Sequence, residues 1–224
     1  MASLRDEAVL RVVAHESQED YSSWLLPAVQ ECLKDSGLQM EQVDAYAVAA
    51  GPGSFTGVRV GLTSVKAWAE VYGKPIVAVS RLEALAAEAS KDAVWVAAFF
   101  NAQRGQVFGA IYRRNGEGLA RSGDEMVIAP GKFVEAAAEV GHDEKVAWVS
   151  PDAECITPEE TWKAREKRGE KVKSVSTVRA PIIGRMGMAA LAEGRFTDAL
   201  ALDANYVRRS DAEIFWKGSA AHGH

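Results

Sequence analysis

The chain has 224 residues, 48% hydrophobic and 25% charged, which suits one large globular domain or two small ones. Its net charge of −5 argues against an unaided grip on nucleic acid, because proteins that neutralise many phosphates are basic. No apolar run reaches membrane-spanning length and the start has no apolar signal core. Cys32 and Cys155 stand far apart without a CxxC partner, so a reducing cytoplasm is expected and a disulfide framework is not.

Residues 8–14 read as a strand, with Val9, Leu10, Val12 and Val13 as β-formers. A polar link over 15–20 leads to a helix over 21–35. Trp24, Leu25, Ala28, Cys32 and Leu33 share one face of it. Pro27 belongs in its first turn or kinks it, and Gly37 stops it. Residues 43–50 form an apolar run with too little alternation for a wet face, as in a buried strand. A glycine-rich stretch follows, then a helix over 58–72 ended by Gly73, a buried strand over 76–80 and a short helix over 82–89.

From residue 93 the pattern changes. Strands over 94–100, 106–113 and 118–121 are joined by turns at Gln103-Arg104-Gly105 and Asn115-Gly116, the second a strong hairpin signal. A helix over 131–140 and a strand over 146–150 come next. Thr157-Pro158-Glu159-Glu160 has the form of a capping box opening a helix. A strand over 171–177 and a helix over 181–193, stopped by Gly194, complete the order. Alternating strands and helices followed by hairpins define an α/β chain of two lobes, 1–99 and 100–224.

The stretch Gly51-Pro52-Gly53-Ser54-Phe55-Thr56-Gly57 links a strand to a helix. Such a turn aims backbone N–H groups at an anion or packs a helix tightly on a sheet. It matches neither G-x-x-x-x-G-K-[ST], since Val58 and Arg59 follow Gly57, nor G-x-G-x-x-G, since the third glycine comes one residue late. Gly51, Gly53, Ser54, Thr56 and Gly57 are therefore candidates for a phosphate turn or for a ligand-free corner, and Ser54 or Thr56 caps the helix. Spacing alone favours the corner.

Reactive chemistry is sparse. His15, beside Glu16 and Ser17, and His142 are the histidines outside the tail, and adjacency in sequence is not a triad. No G-x-S-x-G elbow is present. No His, Cys, Asp and Glu cluster has metal-ligand spacing. No catalytic residue and no metal site is assigned. Lys163, Arg165, Lys167, Arg168, Lys171 and Lys173 form a basic run that could touch RNA phosphate, but interleaved Glu159, Glu160, Glu166 and Glu170 favour a self-paired, solvated helix.

Gly51 to Gly61 (GPGSFTGVRVG), then Lys66 to Ala69 (KAWA) and Pro75 to Ala84 (PIVAVSRLEA), resembles the TsaB family, formerly YeaZ, the smaller relative of TsaD. Asn101 to Phe108 (NAQRGQVF) is similar to its second-lobe hairpin, and Asn205 to Arg208 (NYVR) to its closing segment. The likeness is firm from about 10 to 113 and looser beyond. It implies the actin-like, sugar-kinase and heat-shock ATPase (ribonuclease H-like) fold, with helix 181–193 returning to the first lobe. It also implies a first strand ending in Asp-Thr-Ser, which is missing here: Met1 to Arg5 looks like the middle of the first hairpin, and a sheet edge is expected to be exposed.

By that resemblance the chain is a non-catalytic accessory subunit in the synthesis of threonylcarbamoyladenosine beside the tRNA anticodon. It would bind and activate a TsaD-like transferase and help dock a TsaE-like ATPase. Expected contact residues are Trp24, Leu25, Ala28, Val58, Leu62, Val65, Trp68 and Ala69, which could also form a homodimer. tRNA would be met only through the complex, with no membrane, and ATP or ADP bound only in the assembly. The alternatives are an ATP-binding phosphotransferase using Ser54 and Thr56, and, more weakly, a protease acting on TsaD.

Overall fold

The computed structural model describes residues 1–15, 20–116, 118–142, 144–203 and 207. Glu16 and Ser17, most of the 205–208 segment, and the tail histidines lie outside them.

The first lobe begins with an antiparallel hairpin, β1 (Ala2–Arg5) and β2 (Ala8–Val12). Helix α1 (Tyr21–Ser36) covers it, burying Ala28 and Cys32 against Val13. Pro27 sits within α1, in its second turn. Gly37 ends α1 at φ 66°, and the N–H groups of Gly37 and Leu38 donate to Lys34 O and Leu33 O, the glycine-terminated stop that a left-handed residue permits.

Strand β3 (Tyr46–Gly51), helix α2 (Phe55–Tyr72) and parallel strand β4 (Ile76–Ser80) follow. Leu62, Val65 and Ala69 of α2 fall at three- and four-residue steps, and all three pack on Tyr46, Val48 and Ala50 of β3. Helix α2 begins at Phe55, three residues before the expected start, because Ser54 caps it.

Helix α6 (Ala180–Ala192) covers the opposite side of this layer, with Ile183 and Ala190 against Val77 and Val79. It lies on both strand pairs. A Cβ on Gly184 would come within 2.6 Å of Leu4 in β1, and one on Gly187 within 2.5 Å of Ala47 in β3. Yet β1–β2 and β3–β4 are two separate two-stranded sheets.

The second lobe is one mixed sheet. Its strands are β5 (Trp95–Gln103), β6 (Gln106–Asn115), β7 (Gly118–Arg121), β8 (Met126–Ile128), β9 (Val146–Ser150) and β10 (Val172–Ser174), in the order β10-β9-β5-β6-β7 with β8 also on β6. The short β8 has no alternating pattern and was not expected. On one face Phe99, Val107, Ile111 and Trp148 meet Phe133, Val134 and Ala137 of α4 (Pro130–Gly141) and Trp162 of α5 (Glu160–Lys167). On the other face Val96, Ala98, Phe100, Phe108 and Tyr112 meet Leu82, Leu85 and Ala86 of α3 (Arg81–Ala86). Alternate residues of β5 and β6 thus feed two cores, which is why both strands read as continuous apolar runs. Helix α3 follows a first-lobe strand but packs on the second-lobe sheet, so it joins the lobes.

The capping box at Thr157 does not form. Helix α5 starts at Glu160 with Glu159 at its cap and no side-chain cap bond. The Glu159 carboxylate instead lies against Gly131 in the first turn of α4, 2.7 Å from where a Cβ would stand.

Candidate functional site

Helix α2 carries apolar residues on two opposite sides. The stripe expected to meet a partner turns inward: Leu62, Val65 and Ala69 are buried in their own lobe, and Val58 and Trp68 are half-buried against the same cluster. On α1, Ala28 is buried and Trp24 and Leu25 are half-buried. The cause is helical period: residues three and four apart share one face, and β3 takes that face. The outward stripe is Val60, Ser64, Ala67 and Val71, spaced i, i+4, i+7, i+11; Val60 and Ser64 are half-buried, Ala67 is exposed and Val71 is 74% exposed. Neither Val60 nor Val71 is among the contact residues that the sequence implied.

Near the start of α2, more apolar surface is open. Tyr21 is 47% and Phe55 41% exposed, with Leu26 exposed further along α1. The Tyr21 ring lies 3.8 Å from where a Cβ on Gly57 would stand, an ordinary van der Waals distance, so the two helix starts lie side by side; the close approach at Gly57 is that of Ser54 Oγ, at 2.7 Å. The Arg59 guanidinium lies 3.7 Å from the Phe55 ring centroid, a cation–π contact. His15 packs on Tyr21 and Trp24 at 4.5 and 5.0 Å between centroids.

The candidate phosphate turn is close to Arg81. Gly51 has φ 125°, a conformation that favours glycine. The Gly57 N–H donates to Ser54 Oγ at 3.2 Å, so these two groups are committed to each other. Thr56 lies exposed in the first helical turn. A Cβ on Gly53 would stand 3.8 Å from Arg81 Nη1.

A polar network surrounds the cap of α3. Ser80 Oγ accepts from the N–H groups of Leu82 and Glu83 at 3.1 and 3.3 Å and donates to the carboxylate of Glu125. Arg121 pairs with Glu125 at 3.5 Å. Burial, with Glu125 adding, pushes the Tyr112 hydroxyl well above its usual range. Burial also raises the Glu83 carboxyl, against the attraction of Arg195. The folded chain therefore holds the Glu83 proton more tightly than the unfolded chain, so this group adds stability as pH falls toward the ordinary carboxylate value. Glu83→Gln is expected to melt above wild type at pH 7, with the difference shrinking as pH falls toward about 5. Melting curves across that interval check this. An equal gap at both ends would contradict it.

The basic run is largely spoken for. Arg165 is buried with Glu170, Lys163 pairs with Glu160, and Lys173 Nζ donates to Glu88 O at 2.6 Å. Arg165 thus cannot present itself to a phosphate backbone. Among the described residues, no group of three or more His, Cys, Asp or Glu could hold a metal, and no helix is long and apolar enough to cross a membrane.

Two α/β lobes joined through a shared helix, with a glycine turn at the end of a first-lobe strand, define an actin-like, ribonuclease H-like fold. The family model described as TsaD, tRNA N6-adenosine threonylcarbamoyltransferase, matches residues 11–167. The solved structure of YeaZ from Pseudomonas aeruginosa superimposes with a TM-score of 0.68 at 25% identity, covering 92% of each chain. The tRNA threonylcarbamoyladenosine biosynthesis protein TsaB of Bacillus subtilis is 37% identical over 117 residues, covering 52% of this chain and 51% of that protein. Its Escherichia coli namesake is 34% identical over 114 residues, covering 50% and 49%. The chain belongs to the family that this model describes and, within it, to the TsaB (YeaZ) group. It spans about half the length of the curated relatives it matches.

Proposed function

We propose that this chain is an accessory subunit in the synthesis of threonylcarbamoyladenosine in tRNA, binding and activating a TsaD-like transferase while supplying no reacting group itself. One observation carries the reading: α2 is apolar on two sides, and its own sheet covers one. The outward stripe Val60, Ser64, Ala67 and Val71 has the spacing of a helix–helix seam, and its small members allow close approach of a second helix. The exposed Tyr21 and Phe55 extend that face toward the start of α1, and aromatic residues dominate binding energy at such surfaces. In the absence of the transferase a second copy would use the same face. A TsaE-like ATPase, the tRNA and any ATP or ADP would join only in the assembly.

The double variant Ala67→Glu/Val71→Glu tests this. Both side chains point to solvent, so the isolated variant is expected to keep its helical circular dichroism and melt within a few degrees of wild type. Affinity for a TsaD-like subunit is expected to fall at least about a hundredfold, since two charges would be buried without partners. Unchanged co-purification would sink this surface. Val65 is unsuitable for such a test, because its burial confounds folding with binding.

A further inference from the structure

The strand layer of the first lobe has a slot in it. Neighbouring strands stand about 4.8 Å apart, yet along most of their length the Cα atoms of β1 and β3 are more than 8 Å apart. One turn of α6 still touches both: Gly184 lies on Leu4 of β1, and Gly187 on Ala47 of β3 and Val77 of β4. So β1 and β3 are the inner strands, β2 and β4 the outer ones, and a gap of about two strand spacings fits one more strand. Helix α6 closes the slot on one side, α1 and α2 on the other.

Its walls are two backbone edges that face each other. Met1 and Val13 exchange backbone bonds at 2.6 and 2.9 Å, and Arg5 faces Ala8 across the hairpin turn. Bonded pairs alternate with unbonded ones in an antiparallel ladder, so Ala2 and Leu4 turn their N–H and C=O groups away from β2 and into the slot. On the other wall the Tyr46 N–H donates to Pro75 O at 3.0 Å. Alternation then gives Tyr46, Val48 and Ala50 to β4, and turns the backbone of Ala47 and Ala49 into the slot. Among the described residues, no other group bonds the slot-facing backbone of these four. Ala47 and Ala49 stay half-buried although α6 lies against them, while Val48 and Ala50 are buried.

Backbone groups inside a protein layer are almost always paired, and one extended segment would pair both edges at once. What flanks the slot is small and apolar: Ala28 and Cys32 of α1, Ala47 and Ala49 of β3, Gly184 and Gly187 of α6. A fitting segment is therefore uncharged, with small apolar side chains on both faces. The stretches of this chain outside the described residues do not match. Glu16 and Glu19 charge one, Arg208, Arg209, Asp211 and Glu213 another, and the end from Lys217 is glycine and histidine rich. We propose that the slot between β1 and β3 binds an extended, uncharged segment of another protein, taken up as a strand bonded along both edges. The site lies beneath α1 and α2 and does not depend on the outward face of α2.

Fluorescence anisotropy of the labelled peptide Lys-Val-Ala-Val-Ala-Val-Lys, titrated with the full chain, tests this. Binding is expected to saturate at micromolar protein. Methylating the nitrogens of alternate residues deletes the donors along one edge of the peptide. A slot uses both edges, so methylating either set is expected to weaken binding at least about tenfold. Loss from one set only would mean pairing at a lone edge, and equal binding of all three peptides would mean apolar adsorption. Either result, or no binding, overturns the proposal. Ala49→Pro removes an N–H that faces the slot and spares the ladder to β4. This variant is expected to melt within a few degrees of wild type and to bind at least about tenfold more weakly, and unchanged affinity would refute the site. Should it fail to fold, the methylated peptides decide on wild type. A homodimer, seen by sedimentation at the same concentrations, that excludes the peptide would give the slot to a second copy and overturn this choice of occupant.

Discussion

Glu170→Ala is expected to destabilise the chain by about 3–5 kcal/mol, the range for removing one partner of a buried ion pair. Glu170 and Arg165 have side chains only 1% and 5% exposed and meet at 2.6 Å, with a second bond from Arg165 Nε at 2.8 Å. The same carboxylate accepts the Trp148 indole N–H at 2.7 Å and the Val146 N–H at 3.3 Å. The alanine variant would strand a buried cation and two donors together, each costing its own desolvation. Urea denaturation reads the loss. The apolar pair Arg165→Met/Glu170→Leu is expected to recover only part of it, because the indole and the Val146 amide remain without an acceptor. A loss under about 1 kcal/mol for Glu170→Ala would show that water reaches the site.

Gly109→Ala is expected to cost about 3 kcal/mol, at the upper end for overpacking a close-packed core. Gly109 lies in β6, and the added carbon would sit 2.4 to 2.9 Å from three atoms of the Phe133 ring. That ring is fully buried and packs on Phe99 and Trp148 at 5.7 and 6.0 Å, so it has nowhere to retreat. Phe133→Leu is expected to cost less in the Gly109→Ala background than in wild type. A double-mutant cycle measures that coupling, and strict additivity would contradict the assigned contact.

The readability of the chain follows from how far apart its interacting residues lie. The strand–turn–helix unit at Gly51 to Gly57 could be read directly, because turn glycines and a helix cap are local signals. The inward stripe of α2 was equally visible. Which of two apolar sides would remain open was not, because that depends on where β3 comes to lie. The charges of 159–173 read as one self-paired helix. In the structure α5 ends at Lys167 and Gly169 at φ 78° turns the chain back, so Arg165 meets Glu170 inside the protein, while Glu160 and Lys163 pair on the surface. Ser80 with Glu125 and Arg179 with Glu88 carry no sequence signature. Each pair is joined only by the packing of α3 between the lobes and the return of α6.

The broken middle layer of the first lobe leaves a seam. Among the described residues no backbone hydrogen bond crosses from β1–β2 to β3–β4, and the halves meet through side chains under α6 and between α1 and α2. Each half can therefore breathe on its own, and deuterium uptake along β3 should outpace that of the doubly flanked β5 and β9. An unzipped border of this kind also invites a neighbouring molecule's strand at high concentration.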